Sequence, residues 1–165
     1  MIVGPPAAGK TKVGRRIASR LGETFTDTDA LITQRFGEIP ALFAEHGEPW
    51  FREREREVIH EALSRKGIVS LGGGAVTHPH TRRDLADHRV LGLTISEEAV
   101  SSRILGNNKR PLLAGGLEAW KALVAARESW YREVSDHTID VSHRDASGIA
   151  EEVTAWLRGV EGANG

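Results

Sequence analysis

Two apolar patterns alternate along this 165-residue chain. Short apolar runs stand at Met1 to Val3, "IVSL" (68–71), "RVLGLTI" (89–95) and "HTIDV" (137–141), and "TFTD" (24–27) can form a further short strand. Between them, apolar residues recur at helical spacing. Val13, Ile17 and Leu21 return every four residues and predict a helix over 10–21. Two small helices are expected near 29–36 and 40–46, set apart by Gly37 and Pro40. A longer helix runs from about Pro49 to Arg65, with Phe51, Val58, Ile59, Ala62 and Leu63 on one side and Gly67 past its end. Helices are also expected over 79–86, 97–105, 117–134 and 146–158. Strands alternating with helices predict an α/β fold, in which about five parallel strands are covered on both faces. The segment 106–116 joins two helices rather than a helix and a strand, which marks it as a candidate lid. The chain reads as one domain over 1–158, with "GVEGANG" (159–165) as a disordered or frayed tail.

Composition narrows the chemistry. The absence of cysteine excludes disulfides and thiol catalysis. A net charge of −1 gives no general attraction to nucleic acid or membranes, so any use of positive charge is local. No apolar run reaches membrane-spanning length and no secretory pattern opens the chain, so a cytoplasmic protein is expected.

"GPPAAGKT" fits G-x-x-x-x-G-K-[ST] through Gly4, Gly9, Lys10 and Thr11, between a strand and a helix as that motif requires. The glycines let the backbone curl its N–H groups toward phosphate oxygens, and the helix N-terminus adds partial positive charge. Lys10 is placed to reach the β- and γ-phosphates, and the Thr11 hydroxyl to bind Mg²⁺. "DTD" puts Asp27 and Asp29 just past the second strand, where sheet ligands gather. One carboxylate near Mg²⁺ and one near an acceptor hydroxyl suit phosphoryl transfer. Helix capping is the competing task, for Asp29 above all.

In "EPWFREREREVIHEA", Arg54 and Arg56 read as a solvated face paired with glutamates. Arg52 follows Trp50 and Phe51 at a helix start and is a candidate fork for a carboxylate. Arg110, in "NNKRPLL", is a candidate lid cation for a transferring phosphoryl group. The triple glycine of "SLGGGAV" lacks the GK[ST] of a phosphate loop and marks a close backbone approach to some ligand. His78, His80 and His88 read as surface residues, without the spacing of a zinc site.

"GKT", "DTD", "FRERE", "LGGGAV" and "RPLL", in this order and spacing, together resemble shikimate kinase, a P-loop kinase family of the nucleoside-monophosphate-kinase-like group. The resemblance covers nearly the whole chain. It implies a five-stranded parallel sheet of order 2-3-1-4-5, a substrate-binding region over about 28–62, and a monomer. It also implies transfer of phosphate from ATP, with Mg²⁺, to the 3-hydroxyl of shikimate. By the family's pattern Gly4, Ala7, Ala8, Gly9, Lys10, Thr11 and Lys12 surround the nucleotide, and Asp27 supports Mg²⁺ with Thr11. Asp29 is the candidate base. Phe51, Arg52, Gly72, Gly73, Gly74 and Arg127 take shikimate, the two arginines holding its carboxylate. Arg110 closes from the lid, and Arg103 and Arg144 lie toward adenine. The chain departs from the pattern at Ala7, where the family usually has glycine; an alanine there is expected to avoid the left-handed region. Gly73→Val is expected to abolish acceptor binding and spare the nucleotide.

Overall fold

A computed structural model describes residues 1–105 and 115–163. Strands β1 (Ile2–Val3), β2 (Phe25–Asp27), β3 (Ile68–Ser70), β4 (Leu91–Thr94) and β5 (His137–Asp140) form one sheet in the order β2-β3-β1-β4-β5. Every pairing is parallel, with Ile2 opposite both Ser70 and Leu91. The expected α/β architecture and strand order are present. β1 is central yet only two residues long.

The helices are α1 (Lys10–Leu21), α2 (Thr28–Phe36), α3 (Ile39–Leu63), α4 (Pro79–Leu85), α5 (Glu97–Leu105), α6 (Gly116–Val134) and α7 (Ala146–Ala163). Alternate strand residues face opposite sides of a sheet, and both sides here are apolar. Ile2, Leu91, Leu93 and Ile139 pack with Val13 and Ile17 of α1 and Ile149 and Val153 of α7. Val3, Val69, Leu71 and Val90 pack instead with Ile59 and Leu63 of α3, Leu85 of α4 and Tyr131 of α6. A smaller cluster of Ile32, Leu42, Phe51 and Val58 joins α2 to α3.

The helices expected over 40–46 and 49–65 are the two halves of α3, which part at Gly47, whose φ of 79° and ψ of 170° are non-helical, with Pro49 just beyond. Two details differ from the sequence expectation. Arg56 is not on a solvated face: it reaches Asp84 of α4 at 2.7 Å and ties the two helices together. α7 continues through Gly159 to Ala163 instead of fraying at 159. Each glycine there costs a helix about 1 kcal/mol, which propagation from a docked helix tolerates where no proline interrupts it.

Candidate active site

The loop between β1 and α1 sits at the C-terminal end of the central strand, where open parallel sheets bind ligands. No side chain among the described residues caps α1, which leaves its first-turn N–H groups available to an anion. Lys10 folds back over the loop, its Nζ donating to the carbonyls of Gly4 (2.8 Å) and Pro5 (3.0 Å). Burial lowers the Lys10 pKa to about 8, against the opposing pull of Asp29 and Asp27. The Ala8 N–H points to the Pro5 carbonyl at 3.3 Å, and Lys12 is exposed on α1.

Ala7 corrects an expectation. Its φ is 69°, within the left-handed region that alanine was expected to avoid. The peptides on both sides of it are pinned. Trp120 Nε1 donates to the Pro6 carbonyl at 2.9 Å, and Arg103 Nη1 donates to the Ala7 carbonyl at 2.6 Å. Left-handed backbone costs a non-glycine residue about 1–2 kcal/mol, and such strain persists only where its surroundings over-determine it. Ala7→Gly is therefore expected to stabilise the fold by up to about 1 kcal/mol, the relief being partly offset by the greater freedom of unfolded glycine. Denaturant unfolding measures it; a destabilised variant shows that the methyl group's packing outweighs the strain.

Asp27 ends β2 and caps α2, its Oδ1 accepting from the N–H groups of Asp29 (3.0 Å) and Ala30 (3.3 Å). Its Oδ2 accepts from the Thr11 hydroxyl at 2.7 Å. Capping thus falls to Asp27, and the Asp29 carboxylate accepts no hydrogen bond among the described residues. Asp29 has a raised pKa, first from burial and then from the Asp27 charge, opposed by Lys10 and Arg52.

Across the cleft, Arg52 at the kinked start of the second half of α3 is held by Glu48 (3.2 Å) and by Glu55 (2.5 Å). Glu55 is only 3% exposed, and burial raises its pKa against the pull of Arg52. Phe51 is buried in the α2–α3 core, its ring tilted against Phe43 and under the Arg52 guanidinium. It supports Arg52 rather than lining an open cleft.

The glycine loop after β3 meets these groups without side chains of its own. A Cβ on Gly72 would overlap the Asp29 carboxylate, and one on Gly74 would overlap the Arg52 guanidinium. One on Gly73 would crowd Pro6 Cδ at 3.0 Å. Gly73→Val therefore presses on the P-loop as well, and we expect it to weaken nucleotide binding together with acceptor binding. Gly74→Ala is the cleaner probe. Gly74 has φ −94° and ψ −5°, which alanine adopts without strain, and the group displaced is the end of a long side chain. We expect acceptor affinity weakened by about tenfold or more, from displacement of one charge-assisted contact, and a lowered melting temperature to the extent that the displaced guanidinium also leaves buried Glu55. Titration with the acceptor checks this, and full affinity would show that the acceptor does not use Arg52.

Arg127 of α6 reaches the Gly73 carbonyl at 3.3 Å, and the Tyr131 hydroxyl donates to the same oxygen. Lys10, Asp27, Asp29, Arg52, Glu55 and Arg127 thus form one electrostatic cluster. Two expected members stand apart. Arg144 is exposed and pairs with Glu152 of α7 at 2.6 Å, and no described contact joins it to the P-loop. Arg110, with residues 106–114 of the candidate lid over 106–116, lies outside the described residues.

Four contributors were given no role from the sequence, although Thr28 lies within "DTD" and Glu55 within "FRERE": Thr28, Glu55, Trp120 and Tyr131. The buried Thr28 hydroxyl accepts from the Gly72 N–H at 3.1 Å, locking "DTD" to the glycine loop. Helical spacing offered a signal for two of the others, since Glu55 stands three residues after Arg52 and Tyr131 four after Arg127. Trp120 gave no sequence signal.

The shikimate kinase family model matches residues 6–158. The shikimate kinase of Mycobacterium avium (strain 104) is 42% identical over 161 residues, which cover 95% of this chain and 92% of the relative. The chain belongs to the shikimate kinase family. The relative from Thermobifida fusca (strain YX) is 43% identical over 95% of this chain and 93% of its own. Among solved structures, shikimate kinase from Acinetobacter baumannii in complex with shikimate superposes with a TM-score of 0.88 at 36% identity, covering 96% of this chain and 91% of that one. The sheet order derived from the strand pairings is that of shikimate kinases.

Proposed function

We propose that the protein transfers the γ-phosphoryl group of ATP to the 3-hydroxyl of shikimate. One observation carries this reading beyond family membership: Asp29, whose carboxylate accepts no hydrogen bond among the described residues, stands between a phosphate loop and two arginines suited to a carboxylate. Shikimate offers both matching groups, a hydroxyl and a carboxylate on one small ring.

The residues present fit the nucleotide and its metal. The uncapped start of α1 offers N–H donors to the phosphates, and Lys10 is the cation that exchanges its loop carbonyls for phosphate oxygens. Thr11 and Asp27, already 2.7 Å apart, are the oxygen donors assigned to Mg²⁺. When bound, Mg²⁺ offsets charge on the phosphates. Arg52 and Arg127 orient the acceptor through its carboxylate, and Asp29 takes the proton of the attacking hydroxyl. That oxygen forms the new bond to the γ-phosphorus as the bond to ADP breaks, in line. Arg110 is assigned to the same phosphate on the sequence pattern.

The test is ADP release from Mg-ATP offered with shikimate, gluconate, a nucleoside monophosphate or no acceptor. Release with shikimate is expected. Release with gluconate and not with shikimate overturns the acceptor assignment, and no acceptor-dependent release from folded protein overturns the kinase reading.

A further inference from the structure

Helix α6 touches both ligand loops. Near its start Trp120 donates to the Pro6 carbonyl of the P-loop at 2.9 Å. About three turns later, Tyr131 donates its hydroxyl proton to the Gly73 carbonyl, where Arg127 also reaches at 3.3 Å. The two donors to Gly73 differ in kind. Arg127 is half-buried and makes a long contact. Tyr131 is 7% exposed, and burial raises its pKa, so it stays protonated and able to donate.

A trans peptide points its carbonyl and the next N–H to opposite sides. Fixing the Gly73 carbonyl on α6 therefore turns the Gly74 N–H away from α6. Gly74 faces Arg52 on the side where its Cβ would be. Neither the Gly73 nor the Gly74 N–H has a hydrogen-bond partner among the described residues, whereas Gly72 donates to Thr28 and the Gly74 carbonyl accepts from the Thr77 hydroxyl at 2.7 Å. Two adjacent glycines have little conformational preference of their own, so the orientation of the peptide between them depends on such anchors. A flipped peptide would aim a carbonyl oxygen where a carboxylate must bind.

We propose that Tyr131 is a positioning residue for the acceptor: its hydroxyl latches the Gly73–Gly74 peptide so that the Gly74 N–H faces the acceptor, and frees Arg127 to leave the Gly73 carbonyl for the acceptor's carboxylate. This deepens the functional reading above and rests on it. Without the hydroxyl, Arg127 is the remaining donor to Gly73 among the described contacts, and its two tasks compete. The penalty therefore falls on the acceptor and not on the nucleotide.

The experiment compares wild type, Tyr131→Phe and Trp120→Phe by calorimetric titration with shikimate and, separately, with Mg-ADP. Tyr131→Phe is expected to weaken shikimate binding by about tenfold, the worth of one hydrogen bond, with Mg-ADP affinity within about twofold. Trp120→Phe, which loosens the same helix at the P-loop, is expected to show the reverse split. Unchanged shikimate affinity in Tyr131→Phe, or equal weakening of both ligands, overturns the latch. Wild type that binds Mg-ADP and not shikimate overturns the functional reading itself. A measurement on wild type alone adds independent ground: the Gly74 amide resonance is expected to shift when shikimate binds, and an unmoved resonance overturns the latch.

Discussion

Asp29→Asn is expected to lower turnover with shikimate by about 10²–10⁴-fold, the usual contribution of a positioned general base, while shikimate still binds within a few-fold of wild type. The expectation follows from a division of labour between two carboxylates in one motif. Asp27 is occupied on both oxygens, by the α2 N-terminus and by Thr11. Asp29 accepts no hydrogen bond among the described residues, and burial and its neighbour Asp27 raise its pKa. Its charged form is thus the less comfortable one, which makes it a better proton acceptor than an exposed aspartate. The base must be ionised to act, so kcat/KM for shikimate rises with pH through the raised Asp29 pKa, above its ordinary 3.8. That acid limb is expected to vanish in Asp29→Asn. Turnover within threefold of wild type, or an unchanged acid limb, removes Asp29 as the base.

The P-loop and the alternation of strands and helices were legible in the sequence because their signals are local: a glycine spacing opening a helix, and apolar runs alternating with helical periods. The strand order came from the family resemblance, because it depends on pairings between distant segments. The carboxylate pair was legible as a pair but not as a division of roles. Which aspartate caps α2 depends on one residue's φ and ψ, and Asp27 takes the extended value that a cap needs. Ala7 misled because the sequence shows the residue and not the anchors, and Trp120 and Arg103 arrive from more than ninety residues away to fix its peptides. Glu55 was lost in a run of alternating charges. Only the packing of α3 on the glycine loop shows that this one glutamate is buried while Glu53 and Glu57 are exposed.

That buried glutamate governs what loss of Arg52 does. Arg52→Met removes one of two cations for the acceptor's carboxylate and strands Glu55 without its partner at 2.5 Å. An unpaired buried charge costs about 3–5 kcal/mol, so the variant is expected to lose that much stability near neutral pH as well as acceptor affinity. The two losses separate by pH. Glu55 already has a raised pKa, and removing Arg52 raises it further. Below the ordinary carboxylate range Glu55 is protonated in folded and unfolded chains alike, and the stability deficit is small. As pH rises, the unfolded chain ionises first and is favoured, so the deficit grows until the folded pKa is passed. Adding Glu55→Gln removes the ionisable group. The double variant is expected to recover most of the stability, to lose the pH dependence of the deficit, and to remain weak for shikimate with Mg-ADP binding intact. Acceptor affinity returning together with stability would mean that Arg52 acts only as the counter-ion of Glu55 and never touches the acceptor.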